Sequence, residues 1–463
     1  MRSVPEQPVE LTPLLVEYLT GAGTLPLEAA VLAPTKRLIL DLFGASVTAA
    51  SPRFAAGRLL RAFIDAEGGA PRASVFGRPA RTSMTSAALV NGTFGYYCDV
   101  EPHHVASVMH AVAAVVPSAL AVGEAEGAQG GAVLTACAVG IDLACRMSEA
   151  LDPRALYARG FHPSAVAGTF GAAAAAGCLL RLGRDAWRSA LGLAALQASG
   201  LLSWTSDPSE QSRPLNIGIA ARNGVTAASL AALGFGGPAA VLEGKYDIFH
   251  AFSGVRRPER LTDGLGRRFA VSGFAIKRYS CCAFLHPGLD ALLALLATER
   301  VASRDIAAIE LRFPKSGASV IDNNALRSHN AQYILPVAAV RGEITIDDIL
   351  TDRREDPEVA RLSRRVRVVH DDALDARYPD EYSSIVSVAL TDGRELRGRV
   401  DHAKGTPENP MTDDEVLAKY LLMASRACGD ARARELADLV SHLDELDDVR
   451  RLGDAMRMVA EPD

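Results

Sequence analysis

Gly160-Phe161-His162-Pro163-Ser164-Ala165-Val166-Ala167-Gly168-Thr169-Phe170-Gly171 runs straight into Ala172–Ala176. A His-Pro pair disfavours helix at the histidine and permits it from the proline onward. The residues that follow are almost all Gly and Ala, which let a second backbone or a ligand approach closely. The stretch therefore predicts an imidazole held at a helix N-terminus, where the macrodipole favours a bound anion such as a carboxylate.

Outward from this stretch, residues from about 10 to 270 read as helices. Apolar spacing places them at Leu38–Ala50, Ser83–Tyr97, Ala111–Glu126, Ala132–Leu151, Gly168–Leu182, Asp185–Leu202 and Ile217–Leu233, with short Gly- or Pro-marked connections. So many Ala-rich helices in succession imply a close-packed multi-helix core. After about residue 270 the pattern changes. Ile306–Phe313 and Val366–His370 alternate like strands, and Ser383–Leu390 and Arg394–Val400 flank an Asp392-Gly393 turn as a hairpin. Helices are expected between them at Gly288–Thr298 and Pro357–Arg364. Past Pro410, Thr412-Asp413-Asp414-Glu415 is a capping pattern before a helix over Val416–Cys428, and Arg432–Asp447 reads as another. The expected fold is thus mainly α: a large helical domain (residues 1–271 and 402–463) interrupted by a smaller α+β unit (272–401).

The bulk numbers restrict function. With 49% hydrophobic and 22% charged residues, the 463-residue chain has the profile of a soluble protein with a sizeable core. A formal charge of −6 without a basic stretch argues against nucleic acid or anionic membranes as partners. Cysteines at 98, 137, 145, 178, 281, 282 and 428 form no CxxC, which favours free thiols in a reducing compartment and a cytoplasmic location. The first residues contain no signal-like apolar region. Val105–Gly123 and Ser164–Leu180 approach membrane-span length, but their Ala and Gly content suits buried core helices better. GxxxxGK[ST], strand-borne GxGxxG, HExxH and GxSxG are all absent, which disfavours nucleotide-driven, dinucleotide and common hydrolytic chemistry.

Several polar groups interrupt this apolar chain. Asn91 to His104 ends a helix with Asp99, Glu101, His103 and His104, and His110 follows. These are metal-ligating residue types, but adjacent histidines diverge and no second tight ligand pair accompanies them. Acid–base use is favoured, and no metal is expected. Arg213 precedes a Pro-started helix and offers a bidentate fork for a carboxylate. Lys277 stands near Cys281 and Cys282, with His286 opening the next helix. The polar run Asn323–His329 suits either a site rim or a solvated loop.

The ordered set of Leu38–Gly44, Asn91-Gly92-Thr93 to Asp99, His110 before Val115-Val116-Pro117, Gly160–Pro163, Arg213-Pro214 with Gly218–Gly224, Val241–Gly244, and Lys277 with Cys281-Cys282 and His286-Pro287 resembles the 2-methylcitrate dehydratase family, also called MmgE/PrpD. The resemblance covers nearly the whole chain. It implies a helical domain interrupted by an α+β lid, a site in the cleft between them, homodimers and no cofactor. It also implies chemistry at a carbon flanked by carboxylates: dehydration of 2-methylcitrate, decarboxylation of cis-aconitate or epimerisation of iminodisuccinate. By position, the family's functional residues fall on Asp99, His103, His110, His162, Arg213, Lys277, Cys282 and Val337. Arg213 stands where the decarboxylase pattern has Lys, Cys282 where it has His, and Val337 where it has Tyr, with Tyr333 close by in sequence. The usual Asp-Phe-Asp-Asp-Thr run is altered to Asp99–His103. These departures argue against cis-aconitate decarboxylation.

The expected enzyme is a hydro-lyase on a small hydroxy-polycarboxylate, or an epimerase using the same proton abstraction; a decarboxylase or a non-catalytic homologue is less favoured. His162 is assigned as base, His110 as its partner or acid, and Asp99 as the group that tunes them. Lys277 and Arg213 are assigned as carboxylate clamps that stabilise developing charge. His103, His104, Cys282 and His286 are expected to contact substrate.

Overall fold

The computed structural model describes residues 10–378 and 381–457. The helix of the His-Pro stretch spans Pro163–Leu179, and every one of its residues is buried. Four of its turns carry Gly or Ala where neighbouring helices cross. A Cβ on Gly171 would lie 2.5 Å from the carbonyl oxygen of Gly140, and one on Gly140 would lie 2.6 Å from that of Gly171. Gly224 approaches the same helix, where an added Cβ would meet Ala172 at 2.4 Å. Glycine inside a helix costs up to about 1 kcal/mol relative to alanine. Here that cost is offset by the backbone approach it allows between Pro163–Leu179, Gly130–Leu151 and Ser212–Ala232. Gly130–Leu151 is long and apolar enough to cross a membrane by composition, yet it is buried in this packing. Ala111–Glu126 and Met84–Tyr97 complete the inner layer.

The predicted helix at Gly168–Leu182 begins five residues earlier, at the proline, as the His-Pro geometry demands. The one expected at Asp185–Leu202 stops at Gln197 and gives way to a 3₁₀ turn over Leu202–Ser206. Between Tyr97 and Ala111 the chain leaves helical geometry. Asp99 adopts φ 51°, and His103–His104 pairs antiparallel with Phe274–Ala275, in the register His103 to Ala275 and His104 to Phe274. This two-residue ribbon brings Lys277 beside Asp99 and Glu101.

Ala73–Val75 and Arg78–Thr82 pair as a small hairpin, and four later strands form a sheet in the order Val366–His370, Ile306–Phe313, Ser384–Leu390, Glu395–Val400. The first pair of this sheet is parallel and the others antiparallel. Ile306, Ile309, Leu311 and Phe313 alternate inward along the central strand, and His286–Thr298 covers the Ser384–Leu390 and Glu395–Val400 strands. Beyond the sheet, Asp413–Cys428 opens with the capping box of Thr412 and Glu415 and packs against Ala29–Ala50. Lys419 on that helix meets the buried Asp41 at 2.6 Å and donates to the Val100 carbonyl at 2.8 Å.

Candidate active site

The Met84–Tyr97 helix ends at Cys98, and the chain leaving it runs past Lys277. Its Nζ donates to the Asp99 carbonyl at 3.3 Å, to Asp99 Oδ1 at 2.6 Å and to Glu101 Oε1 at 3.1 Å. All three ammonium protons are thereby used within the protein. Lys277 offers its charge to a ligand rather than a free donor, a change from the expected clamp.

Glu101 is fully buried, and its Oε1 also comes within 2.7 Å of His110 Nδ1. His110 forms the N-cap of Ala111–Glu126, and His162 the N-cap of Pro163–Leu179. The Tyr96 ring lies between them, 4.7 Å from the His110 ring and 6.0 Å from that of His162. His103 packs 4.8 Å from His110. Trp204 stands 5.5 Å from His162 and 6.1 Å from His329, which arrives from the sheet-bearing half. Asp99, His103, His110, His162, Lys277 and Cys282 all line one cavity of about 490 Å³.

Charge in this cluster is unevenly distributed. Burial alone would raise Asp99, but Arg213 and Lys277 overcome it and hold its carboxyl well below the ordinary range. For Glu101 burial wins over Lys277 and the carboxyl is pushed up. Burial, with further repulsion from His110 and Arg213, lowers His162 to about 3. It lowers His103 and His110 well below their usual value too, aided by their cationic neighbours. His329 falls to about 4 from burial, against the attraction of Asp99. The cavity thus presents neutral imidazoles beside an anchored carboxylate. The buried Nδ1 of His162, Nδ1 of His103, Oδ2 of Asp99 and Nε1 of Trp204 have no hydrogen-bond partner within the described residues.

Other expected residues lie elsewhere. Arg213 is buried behind Tyr96, its guanidinium 4.5 Å from that ring and 3.6 Å from Asp99. It influences the cavity through these two residues instead of lining it. His104 turns away, with Nδ1 at 2.7 Å from Ser107 Oγ. His286 faces a smaller neighbouring cavity and approaches the Cys281 carbonyl at 3.3 Å. Val337 is fully buried in a helix, and the Tyr333 hydroxyl is spent on the carbonyls of Asp348 and Thr351. Among the described residues no His, Cys, Asp or Glu cluster is arranged to hold a metal.

Sequence reasoning gave Glu101 only a minor place and did not single out Tyr96 or Trp204. It also missed Glu210, which accepts from Ser328 Oγ at 3.1 Å and so joins the two halves beside the cavity. Asp99, Val108 and Glu210 all hold positive φ near this site, backbone strain of about 1–3 kcal/mol each that surrounding contacts must stabilise.

A model of the MmgE/PrpD N-terminal domain matches residues 14–261, and one of the C-terminal domain matches residues 279–445. A cis-aconitate decarboxylase of Aspergillus terreus is 28% identical over 405 residues, covering 82% of each chain. The human cis-aconitate decarboxylase is 27% identical over 441 residues, covering 90% of this chain and 88% of its own. A 2-methylcitrate dehydratase of Cupriavidus necator is 29% identical over 259 residues, 53% of this chain and 50% of its own.

Proposed function

We propose, because this chain belongs to the MmgE/PrpD family, that it is a lyase acting on small polycarboxylates, and specifically a hydro-lyase. One observation carries the finer reading: the cavity is lined by a free imidazole base, His162, and by a second imidazole, His110, that is backed by the buried Glu101 carboxyl. His162 has an unpartnered Nδ1 and is neutral at physiological pH. Glu101, whose carboxyl burial keeps protonated more readily than usual, sits 2.7 Å from His110. Dehydration needs both functions, whereas decarboxylation needs only a proton donor.

In the proposed reaction His162 removes a proton from the carbon next to a substrate carboxylate. The electron pair moves into the carboxylate, and the charge that develops is stabilised by the fixed positive field of Lys277 and Arg213. The pair then forms the carbon–carbon double bond as the hydroxyl leaves. The Glu101–His110 pair delivers its proton to that hydroxyl, so water departs and the products are an alkene and water. Asp99 holds Lys277 in place throughout.

Decarboxylation is the second reading, favoured by the decarboxylases that align over four-fifths or more of the chain. Proton NMR in D2O separates the possibilities with 2-methylcitrate, citrate, cis-aconitate, iminodisuccinate and related hydroxy diacids. A new alkene from a hydroxy acid, read by its vinyl signal or, from 2-methylcitrate, by an allylic methyl signal, supports the hydro-lyase. Carbon dioxide release from an unsaturated acid moves the assignment to decarboxylase, and deuterium uptake without an alkene moves it to epimerase.

A further inference from the structure

The same cavity has two unlike ends. One carries Asp99, Lys277 and the imidazoles. The other is walled by Tyr157, Leu202, Trp204, Phe284, Leu326 and Tyr378. Phe284 and Tyr378 lie 6.2 Å apart, and the Arg154 guanidinium lies over Tyr378 at 5.4 Å, one helical turn before Tyr157. The wall is therefore continuous, with Arg154, Thr205 and Asn324 as its polar members. A space of about 490 Å³ falls in the range that encloses a drug-sized ligand. A six-carbon tricarboxylate fills only part of it and leaves the aromatic wall wet.

The charges at the polar end point the same way. Three carboxyl groups, Asp99, Glu101 and Glu210, surround two buried cations, Lys277 and Arg213. Lys277 has no spare donor, and Arg213 lies behind Tyr96. Neither cation at this end directs a spare donor into the cavity, so three ligand carboxylates would find no direct ion-pair partner there. Arg213 Nε and Nη1 are unpartnered too but lie outside the lining, whereas the unpartnered indole N–H of Trp204 lines the cavity at the junction of the two ends. An indole whose face is apolar and whose N–H is free suits the point where a ligand changes from polar to apolar.

We infer that the substrate is a hydroxy dicarboxylate bearing an extended apolar substituent, alkyl or aryl, rather than a compact tricarboxylate. The inference rests on the proposed reaction only for the chemistry of the head group. Its test uses saturated diacids that lose no water: methyl-, butyl- and hexylsuccinate, with tricarballylate as the compact triacid, titrated calorimetrically into the full-length protein. Burial of each methylene favours binding by roughly fourfold. The dissociation constant should fall at least about tenfold from methyl- to hexylsuccinate, and hexylsuccinate should bind more tightly than tricarballylate. Trp204→Ala should flatten the series, as should Phe284→Ala should the first variant not fold. A flat series in the wild type, or tighter binding of tricarballylate, overturns the inference. An alkene product from 2-methylcitrate beside a flat series defeats this inference alone. Tail dependence without any alkene product defeats the reaction alone.

Discussion

In the proposed reaction His162 is the base, and burial keeps it neutral. Replacing it with alanine should lower turnover at least about a hundredfold, the usual size of an acid–base contribution, while the circular dichroism spectrum stays unchanged. His104→Ala is the contrast: its ring serves Ser107 outside the cavity, so turnover should stay within about threefold of wild type. The pH profile gives an independent check. An ordinary histidine base loses activity as pH falls through about 6.5. With His162 held near 3 by burial, kcat/KM should show no histidine inflection near 6.5, and an inflection there would remove His162 from the role. At this scale the sequence was legible where chemistry sat beside a local rule, as in His162-Pro163 and the Asp99 run that ends a helix. Trp204 was not, because it lies in a 3₁₀ turn among Ser and Thr with no periodicity to mark it. Glu101, Lys277 and His110 are joined only by the ribbon of His103–His104 with Phe274–Ala275, a pairing of segments some 170 residues apart.

Among elements, those with complete local signals fell where the pattern placed them. The strands Ile306–Phe313 and Val366–His370 and the Thr412 capping box are such cases. The loop after Tyr97 did not, because Asp99 takes a left-handed backbone that only tertiary contacts enforce. Two element-scale junctions are testable. Glu124, at the end of Ala111–Glu126, accepts from the backbone and hydroxyl of Ser74, and burial, opposed by those bonds and Arg81, raises it to about 7. A raised carboxyl binds its proton in the folded state first, so its stabilising effect is greatest below about 4.5 and is lost as pH climbs through 7. Glu124→Gln should therefore gain on wild type by ~2–3 kcal/mol in urea unfolding between pH 4.5 and 7.5. The second junction is Lys419 with Asp41. Lys419→Met strands a buried carboxylate and should cost about 3–5 kcal/mol. Adding Asp41→Asn should recover at least half of that loss in the same assay, and no recovery would show that the helix contacts, not the charge, were lost.

At the scale of the molecule, the chain returns to its beginning: Asp413–Cys428 buries Val416 and Tyr420 against Ala29–Ala50. The composition shift near 270 and the helical signals after 410 foreshadowed this return, but not the buried Lys419 that fastens it. Truncation after Pro410 uncovers that apolar face and leaves Asp41 without its cation. Such a chain should yield no soluble protein with a cooperative melting transition. A soluble, cooperatively melting fragment would mean that the return is dispensable.

The Lys277 and Lys419 ion pairs also set an order of events during synthesis. Chains emerge N-terminus first, and early segments begin to fold before later ones exist. When the helices up to Ala232 have left the ribosome, Asp41 and Glu101 are present with their lysines still unmade, and Asp99 has only Arg213 beside it. The nascent core must keep these carboxyls hydrated or protonated, and it cannot seal around them. Residue 419 is therefore where the last of these counter-charges becomes available to the core.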